Sequence, residues 1–188
     1  MKIAILGAES TGKTTLARAM QTALQQDHGQ AVWVPEALRD WCVRRGRTPR
    51  PQEQQEIALA QAQAIDSAGP GYLLADTTPL MTAVYSDVIF GDQSLYRFAL
   101  EHHTCFELTL LTDTDLPWVA DGEQRGGPYW RTAVDRRLRQ VLAQQALHYV
   151  LIQGHGEART ANALKALGRH PGAAQHAPDP ACLLNRPA

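Results

Sequence analysis

Gly7-Ala8-Glu9-Ser10-Thr11-Gly12-Lys13-Thr14-Thr15 is the stretch that decides the fold. It spells the phosphate-loop pattern G-x-x-x-x-G-K-[ST] directly after the apolar run Lys2–Leu6, and it opens a helical pattern in which Leu16, Met20 and Leu24 recur at four-residue steps. A strand feeds the loop and a helix leaves it, which is the context this motif needs. The glycines let the backbone curl until several N–H groups face one phosphate. Lys13 can then reach the β- and γ-phosphates, and the Thr14 hydroxyl can ligate Mg²⁺. The helix N-terminus adds orphan N–H groups and a dipole that favour an anion. Gly7, Glu9, Ser10, Thr11, Gly12, Lys13, Thr14 and Thr15 are therefore the candidate nucleotide site, with ATP and Mg²⁺ as the expected cofactors.

Outward from the loop, strand-like runs are read at Lys2–Leu6, Ala31–Val34, Tyr72–Ala75, Glu107–Thr112 and Tyr149–Gln153. Helical patterns separate them at Lys13–Gln26, Glu36–Arg44, Pro51–Asp66, Pro79–Phe90, Ser94–His102, Arg131–Ala146 and Glu157–Leu167. Strands alternating with helices predict an α/β, three-layer fold with a parallel sheet covered on both faces, because each parallel crossover needs a long connection. The Pro51–Asp66 helix is expected to use Ile57, Ala60, Ala64 and Ile65 as its apolar stripe. A domain over 1–168 is followed by a tail over 169–188, broken by His170-Pro171-Gly172 and Pro178-Asp179-Pro180.

Composition bounds the function. The chain has 188 residues, about one domain, with 18 Lys plus Arg against 19 Asp plus Glu and a net charge of −1. That balance gives no support for a nucleic-acid surface, and the local run Arg44, Arg45, Arg47, Arg50 suits a solvated loop or a small phosphorylated ligand better. No apolar stretch is long enough to span a membrane, and the N-terminus reads as a strand rather than a signal peptide, so a cytoplasmic location is expected. Cys42, Cys105 and Cys182 are odd in number and widely spaced, which fits reduced thiols without zinc-ligand spacing. The adjacent His102 and His103 point about 100° apart on a helix, reading as one buried and one exposed residue rather than a ligand pair.

In parallel sheets of this kind ligands bind beyond the carboxyl ends of the strands. The third strand ends in Asp76-Thr77-Thr78-Pro79. Asp76 can hold the Mg²⁺ shell or accept the proton of an attacking hydroxyl; the alternative is an N-cap for the Pro79 helix, which Thr78 could equally provide. After the second strand, Glu36 and Arg39 share a helix face and could orient a hydroxylated substrate, although a surface ion pair has the same spacing. Trp41 could stack on a flat ring or simply pack. The segment 113–131 is polar and Gly-rich, and reads as a lid in which Arg125 is the candidate late-arriving cation for phosphoryl transfer, with Arg131 just beyond; a solvated loop arginine is the alternative. Gly154 and Gly156 in the turn after the fifth strand would let backbone approach a flat base, or would serve a plain turn.

Taken together, Gly7 to Thr15 with Glu9, then Val34-Pro35-Glu36-Ala37-Leu38-Arg39, then Asp76 to Tyr85 with Gly91, then Pro117-Trp118-Val119-Ala120-Asp121-Gly122, resemble the ribosylnicotinamide kinase domain of NadR-type proteins over about residues 1–168. The resemblance implies a P-loop kinase fold with a five-stranded parallel sheet in the order 2-3-1-4-5. It implies ATP-dependent phosphorylation of the 5′-hydroxyl of nicotinamide riboside to nicotinamide mononucleotide. By position it puts Lys13 and Thr14 on ATP and Mg²⁺, Asp76 near the 5′-hydroxyl, Glu36 and Arg39 toward the substrate, and Asp121 and Arg125 in the lid; Trp41 and Tyr85 are further candidate substrate contacts. Arg125 stands three residues after Gly122, one more than expected of relatives. NadR proteins can carry an adenylyltransferase domain and a DNA-binding motif ahead of the kinase, and neither activity is expected here. A kinase for another nucleoside or small metabolite stays open, as does a regulatory ATPase; a guanine-reading N-K-x-D motif is absent. Oligomeric state is open as well, a homo-oligomer included.

Overall fold

The computed structural model describes residues 1–119 and 128–170. Strands β1 (Lys2–Leu6), β2 (Ala31–Val34), β3 (Tyr72–Asp76), β4 (Leu108–Thr112) and β5 (Val150–Ile152) form one sheet in the order β2-β3-β1-β4-β5, all pairs parallel. The order expected from the resemblance is the one observed. β1 lies at the centre, paired with β3 on one side and β4 on the other, so the phosphate loop leaves the middle of the sheet.

Alternation along β1 sorts its side chains onto two cores. Ile3 and Ile5 pack with Leu16, Met20 and Leu24 of α1 (Lys13–His28), as the four-residue spacing predicts. Ala4 and Leu6 face the opposite cluster, built with Leu80, Met81 and Val84 of α4 (Pro79–Phe90) and with Val134, Leu138 and Leu142 of α6 (Pro128–Gln144). Full burial of each such side chain contributes about 1.5–3 kcal/mol, so the strand is held from both faces. The remaining helices are α2 (Ala37–Arg45), α3 (Gln54–Asp66), α5 (Tyr96–His103) and α7 (Gly156–Gly168), with a single 3₁₀ turn at Pro51–Glu53 ahead of α3.

The expected stripe on α3 needs correction. Ala60 and Ala64 are exposed, and the buried face runs Gln54, Ile57, Ala58, Gln61, Ala62, Ile65. Gln61 is the reason the pattern was obscured: its amide accepts from Ala37 N–H at 2.7 Å and donates to Pro35 O at 3.2 Å, so a polar residue occupies the core face to fix the start of α2. No helix among the described residues is long and apolar enough to cross a membrane.

Candidate active site

The phosphate loop is built by backbone that ordinary residues resist. Gly7 has φ +150°, and a Cβ there would meet Thr112 Oγ1 at 2.1 Å; Gly12 has φ +76° and faces Leu116 Cδ1 at 2.9 Å. Only glycine fits at Gly7, and at Gly12 the positive φ makes any side chain strained. Ser10 also has positive φ, +54°, and its hydroxyl donates to Val119 O at 2.7 Å. Beneath the loop, Thr112 Oγ1 lies 3.0 Å from Leu6 O and 2.7 Å from Thr11 Oγ1, and the Thr11 hydroxyl donates to Ala8 O at 2.8 Å. The first turn of α1 has neither a side-chain cap nor an acidic residue, so its N–H groups face the cleft ready for an anion.

Lys13 is buried, 6% exposed, rather than turned to solvent, and its ammonium donates to Ala8 O at 2.7 Å. Thr14 donates its hydroxyl to Asp76 Oδ2 at 2.5 Å, which joins the loop to the end of β3. Thr77 follows with φ +74°, a strained value for a β-branched residue, and its N–H donates to Ile5 O at 3.1 Å. The N-cap of α4 belongs to Thr78, whose hydroxyl accepts the Leu80 N–H at 3.3 Å; Asp76 is thereby free of capping and turned to the loop. Burial raises the Asp76 pKa above the ordinary carboxylate value, with Glu36 adding to the rise and Lys13, the Thr14 hydrogen bond and Arg39 opposing it.

A cleft of about 550 Å³ opens over the loop, lined by residues 10–15 together with Glu36, Arg39, Leu116, Pro117 and Val119. Glu36 is 5% exposed and Arg39 40%, and Arg39 Nε sits 3.8 Å from Glu36 Oε2. The carboxylate and guanidinium read from the sequence thus stand in the same cleft as the phosphate loop. Asp76 Oδ2 accepts Thr14 below it, and Asp76 Oδ1 is buried without a hydrogen-bond partner among the described residues. Thr14 Oγ1 and Asp76 form an oxygen donor set that suits Mg²⁺.

Gly7, Glu9 and Asp76 lie behind the lining residues, and four further expected contacts stand away from the cleft lining. Trp41 is packed with Cys42, Ile57 and Leu38, and its ring is covered by Arg45 at 5.5 Å and Arg47 at 5.0 Å. Tyr85 lies within the core cluster of α4. Gly154 donates its N–H to Asp115 Oδ2 at 2.7 Å, and Gly156 begins α7. Arg125, Asp121 and Gly122 lie outside the described residues, as does the tail from 171. Arg131 is described and 8% exposed, donating to Thr114 O at 3.1 Å and Leu116 O at 2.8 Å. It fastens the chain that forms the cleft wall.

Sequence reading missed Arg159. Only 4% exposed, it donates to Asp115 Oδ1 at 2.6 Å, Gly154 O at 2.7 Å, Thr11 O at 2.9 Å and Asp113 O at 3.0 Å. One guanidinium therefore ties the phosphate loop to the ends of β4 and β5. Burial opposes ionisation of Asp115, but the Arg159 and Gly154 hydrogen bonds prevail and hold its carboxyl below the ordinary value. Asp113 is lowered too, first by Gln153.

The chain is 27% identical over 159 residues to the trifunctional NAD biosynthesis/regulator protein NadR of Salmonella typhimurium, covering 80% of this chain and 38% of that protein. It thus spans well under half the length of this relative. Its fold matches a crystal structure of NadR protein in complex with NR at TM-score 0.72 and 19% identity, over 91% of this chain and 50% of that one. It also matches the deoxyadenosine kinase from M. mycoides with products dCMP and dCDP bound, at TM-score 0.62 and 13% identity, over 89% of this chain and 98% of that one. These matches bear out the resemblance to NadR-type proteins and the P-loop kinase fold. A family model described as an AAA domain matches residues 2–159, most of the described structure, and the chain belongs to that family.

Proposed function

We propose that this protein is an ATP-dependent kinase that transfers a phosphoryl group to the 5′-hydroxyl of a nucleoside, and that nicotinamide riboside is the acceptor, giving nicotinamide mononucleotide in NAD salvage. The observation that carries the reading is the shared cleft: the phosphate loop, Glu36 and Arg39 line it together, and the loop's Thr14 is hydrogen-bonded to a buried Asp76. The NadR and nucleoside kinase relatives support the same class of reaction. The setting this implies is the cytoplasm.

The loop N–H groups and Lys13 bind the polyphosphate of ATP, for which the Lys13 ammonium leaves the Ala8 carbonyl. Thr14 and Asp76 would hold Mg²⁺, which supplies charge neutralisation on the phosphate oxygens. Asp76 receives the proton of the acceptor hydroxyl as that oxygen bonds the γ-phosphorus and the bond from phosphorus to the ADP oxygen breaks. Glu36 accepts hydrogen bonds from the sugar hydroxyls and Arg39 fixes the Glu36 carboxylate and the acceptor in register. Arg125 would supply the cation that stabilises charge on the transferring group.

A thermal-shift panel of nucleosides with a non-hydrolysable ATP analogue tests the acceptor. A ligand that binds the folded state raises the melting temperature. Nicotinamide riboside should give the largest shift. A larger shift from a purine or pyrimidine nucleoside would reassign the acceptor, and no shift from any nucleoside beside a clear shift from the ATP analogue would favour a regulatory ATPase.

A further inference from the structure

We propose that Asp66, His102 and Cys105 form a binding site for a divalent transition-metal ion of the zinc class, at the end of the sheet opposite the cleft. Asp66 closes α3, His102 stands in the last turn of α5, and Cys105 lies in the turn leading to β4. Their candidate donor atoms all lie within 4.8 Å of one another. The His-x-x-Cys pair is set by a turn in which the Cys105 N–H donates to His102 O at 3.2 Å. Asp66 reaches the same point only through the packing of α3, which is why sequence spacing gives no metal pattern.

His102 is the observation that points to a ligand. Its side chain is only 9% exposed, against the expectation that one of the two histidines faces solvent. Both ring nitrogens are buried without a hydrogen-bond partner, and Nε2 lies 3.5 Å from Asp66 Oδ1 without a hydrogen bond to it. A buried polar ring left unsatisfied is costly, and a metal ion at this point satisfies it. Phe98 and Phe106 flank the imidazole at 6.2 and 6.1 Å, giving the site an apolar wall.

The donor set is one nitrogen, one sulfur and one carboxylate oxygen. Zn²⁺, a borderline-soft ion, takes this mixture in a tetrahedron with bonds of about 2.0–2.3 Å and keeps a fourth position for water, whereas Mg²⁺ and Ca²⁺ prefer oxygen alone. Closing the donors to tetrahedral spacing requires Asp66 to turn inward, which its 58% exposed side chain permits. Lys2 Nζ, 3.3 Å from Asp66 Oδ1, is the competing partner, and that pair is solvent-screened. On binding, the Cys105 thiol gives its proton to solvent and the thiolate bonds the metal. The ion then links α3 to the α5–β4 turn, at the end of the sheet opposite the phosphate loop.

The test is a Co²⁺ titration of the full chain, read by absorbance. A thiolate-to-cobalt charge-transfer band with strong d–d bands saturating at one equivalent is expected, and neither can arise from an all-oxygen Mg²⁺ site. Cys105→Ser and His102→Gln should lose the bands, and Cys42→Ser should keep them. Asp66→Asn, a change at an exposed side chain, should preserve the fold by circular dichroism and weaken Zn²⁺ competition by at least the roughly 10–100-fold that loss of an outer-shell partner costs. No charge-transfer band in the parent, a band that survives Cys105→Ser, or unchanged Zn²⁺ affinity in Asp66→Asn would overturn the site.

Discussion

The two ends of the cleft are built differently. At the phosphate end the loop is over-determined: Gly7 is wedged against Thr112, Thr11 is held by Ala8 O, Thr112 and Arg159, and Thr14 is hydrogen-bonded to Asp76. Away from the loop, Glu36 at the N-cap of the nine-residue α2 and a 40% exposed Arg39 stand 3.8 Å apart in the same cleft. The phosphate end is preorganised because every triphosphate presents the same charges to it. On the proposed reading the Glu36–Arg39 end would admit the acceptor, and its selectivity would rest on a few side chains.

Asp76 is hydrogen-bonded to Thr14 and feels the charges of Glu36 and Arg39, so its substitution should have the largest effect. Asp76→Asn should lower kcat on the order of 10²–10⁴-fold, the range for loss of a positioned base. Stability should move the other way. Because burial raises Asp76 above its ordinary value, the folded chain holds that proton more tightly than the unfolded chain; the contribution favours the fold at acid pH and is lost as pH rises through the folded pKa. At neutral pH the Asn variant should therefore melt no lower than the parent, the difference shifting toward the parent as pH falls. A variant that keeps turnover, or one that unfolds at neutral pH, would remove Asp76 from its role.

Lys13→Ala should cost on the order of 10²–10³-fold in turnover with the fold intact, as loss of one charge-stabilising donor does. Arg125→Ala should lower kcat on the order of 10²-fold while ATP binding measured directly is little changed. Arg131→Ala should be milder in rate and should act through the wall, since Arg131 holds Thr114 O and Leu116 O. A rate effect carried by Arg131 and absent from Arg125 would move the catalytic cation to the start of α6.

The remaining two changes sharpen the contrast between fixed and adaptable ends. Arg159→Ala leaves Asp115 and the Thr11 carbonyl without their partner, and should destabilise the chain by about 3 kcal/mol, read from denaturant melts, with ATP affinity falling alongside. Glu36→Gln should leave stability and ATP affinity unchanged while raising KM for the nucleoside about tenfold, as loss of a charged hydrogen bond of ~1.5 kcal/mol does. Equal effects of both on ATP and acceptor binding would erase the distinction between the two ends.

The same contrast explains what was legible in the sequence. The phosphate loop declares itself because its chemistry is local: glycine, lysine and threonine at fixed offsets between a strand and a helix. Leu16, Met20 and Leu24 are all buried, as their spacing predicts. Asp76 and Glu36 were legible by position at strand ends. Arg159 was not, because its partners Thr11, Asp113 and Asp115 are remote in sequence and meet only when β4 and β5 pair. Gln61 misled the reading of α3 because a hydrogen-bonded polar side chain occupies a core position. Trp41 could be named but not placed, since only the fold lays Arg45 and Arg47 across its ring.

The most direct measurement is product formation from ATP, Mg²⁺ and nicotinamide riboside, with ADP and nicotinamide mononucleotide followed together by chromatography and mass spectrometry. The two products should form in equal amounts with the parent chain and be lost in Asp76→Asn. ADP released at the same slow rate with or without any nucleoside, and no phosphorylated nucleoside, would contradict the proposed kinase reaction.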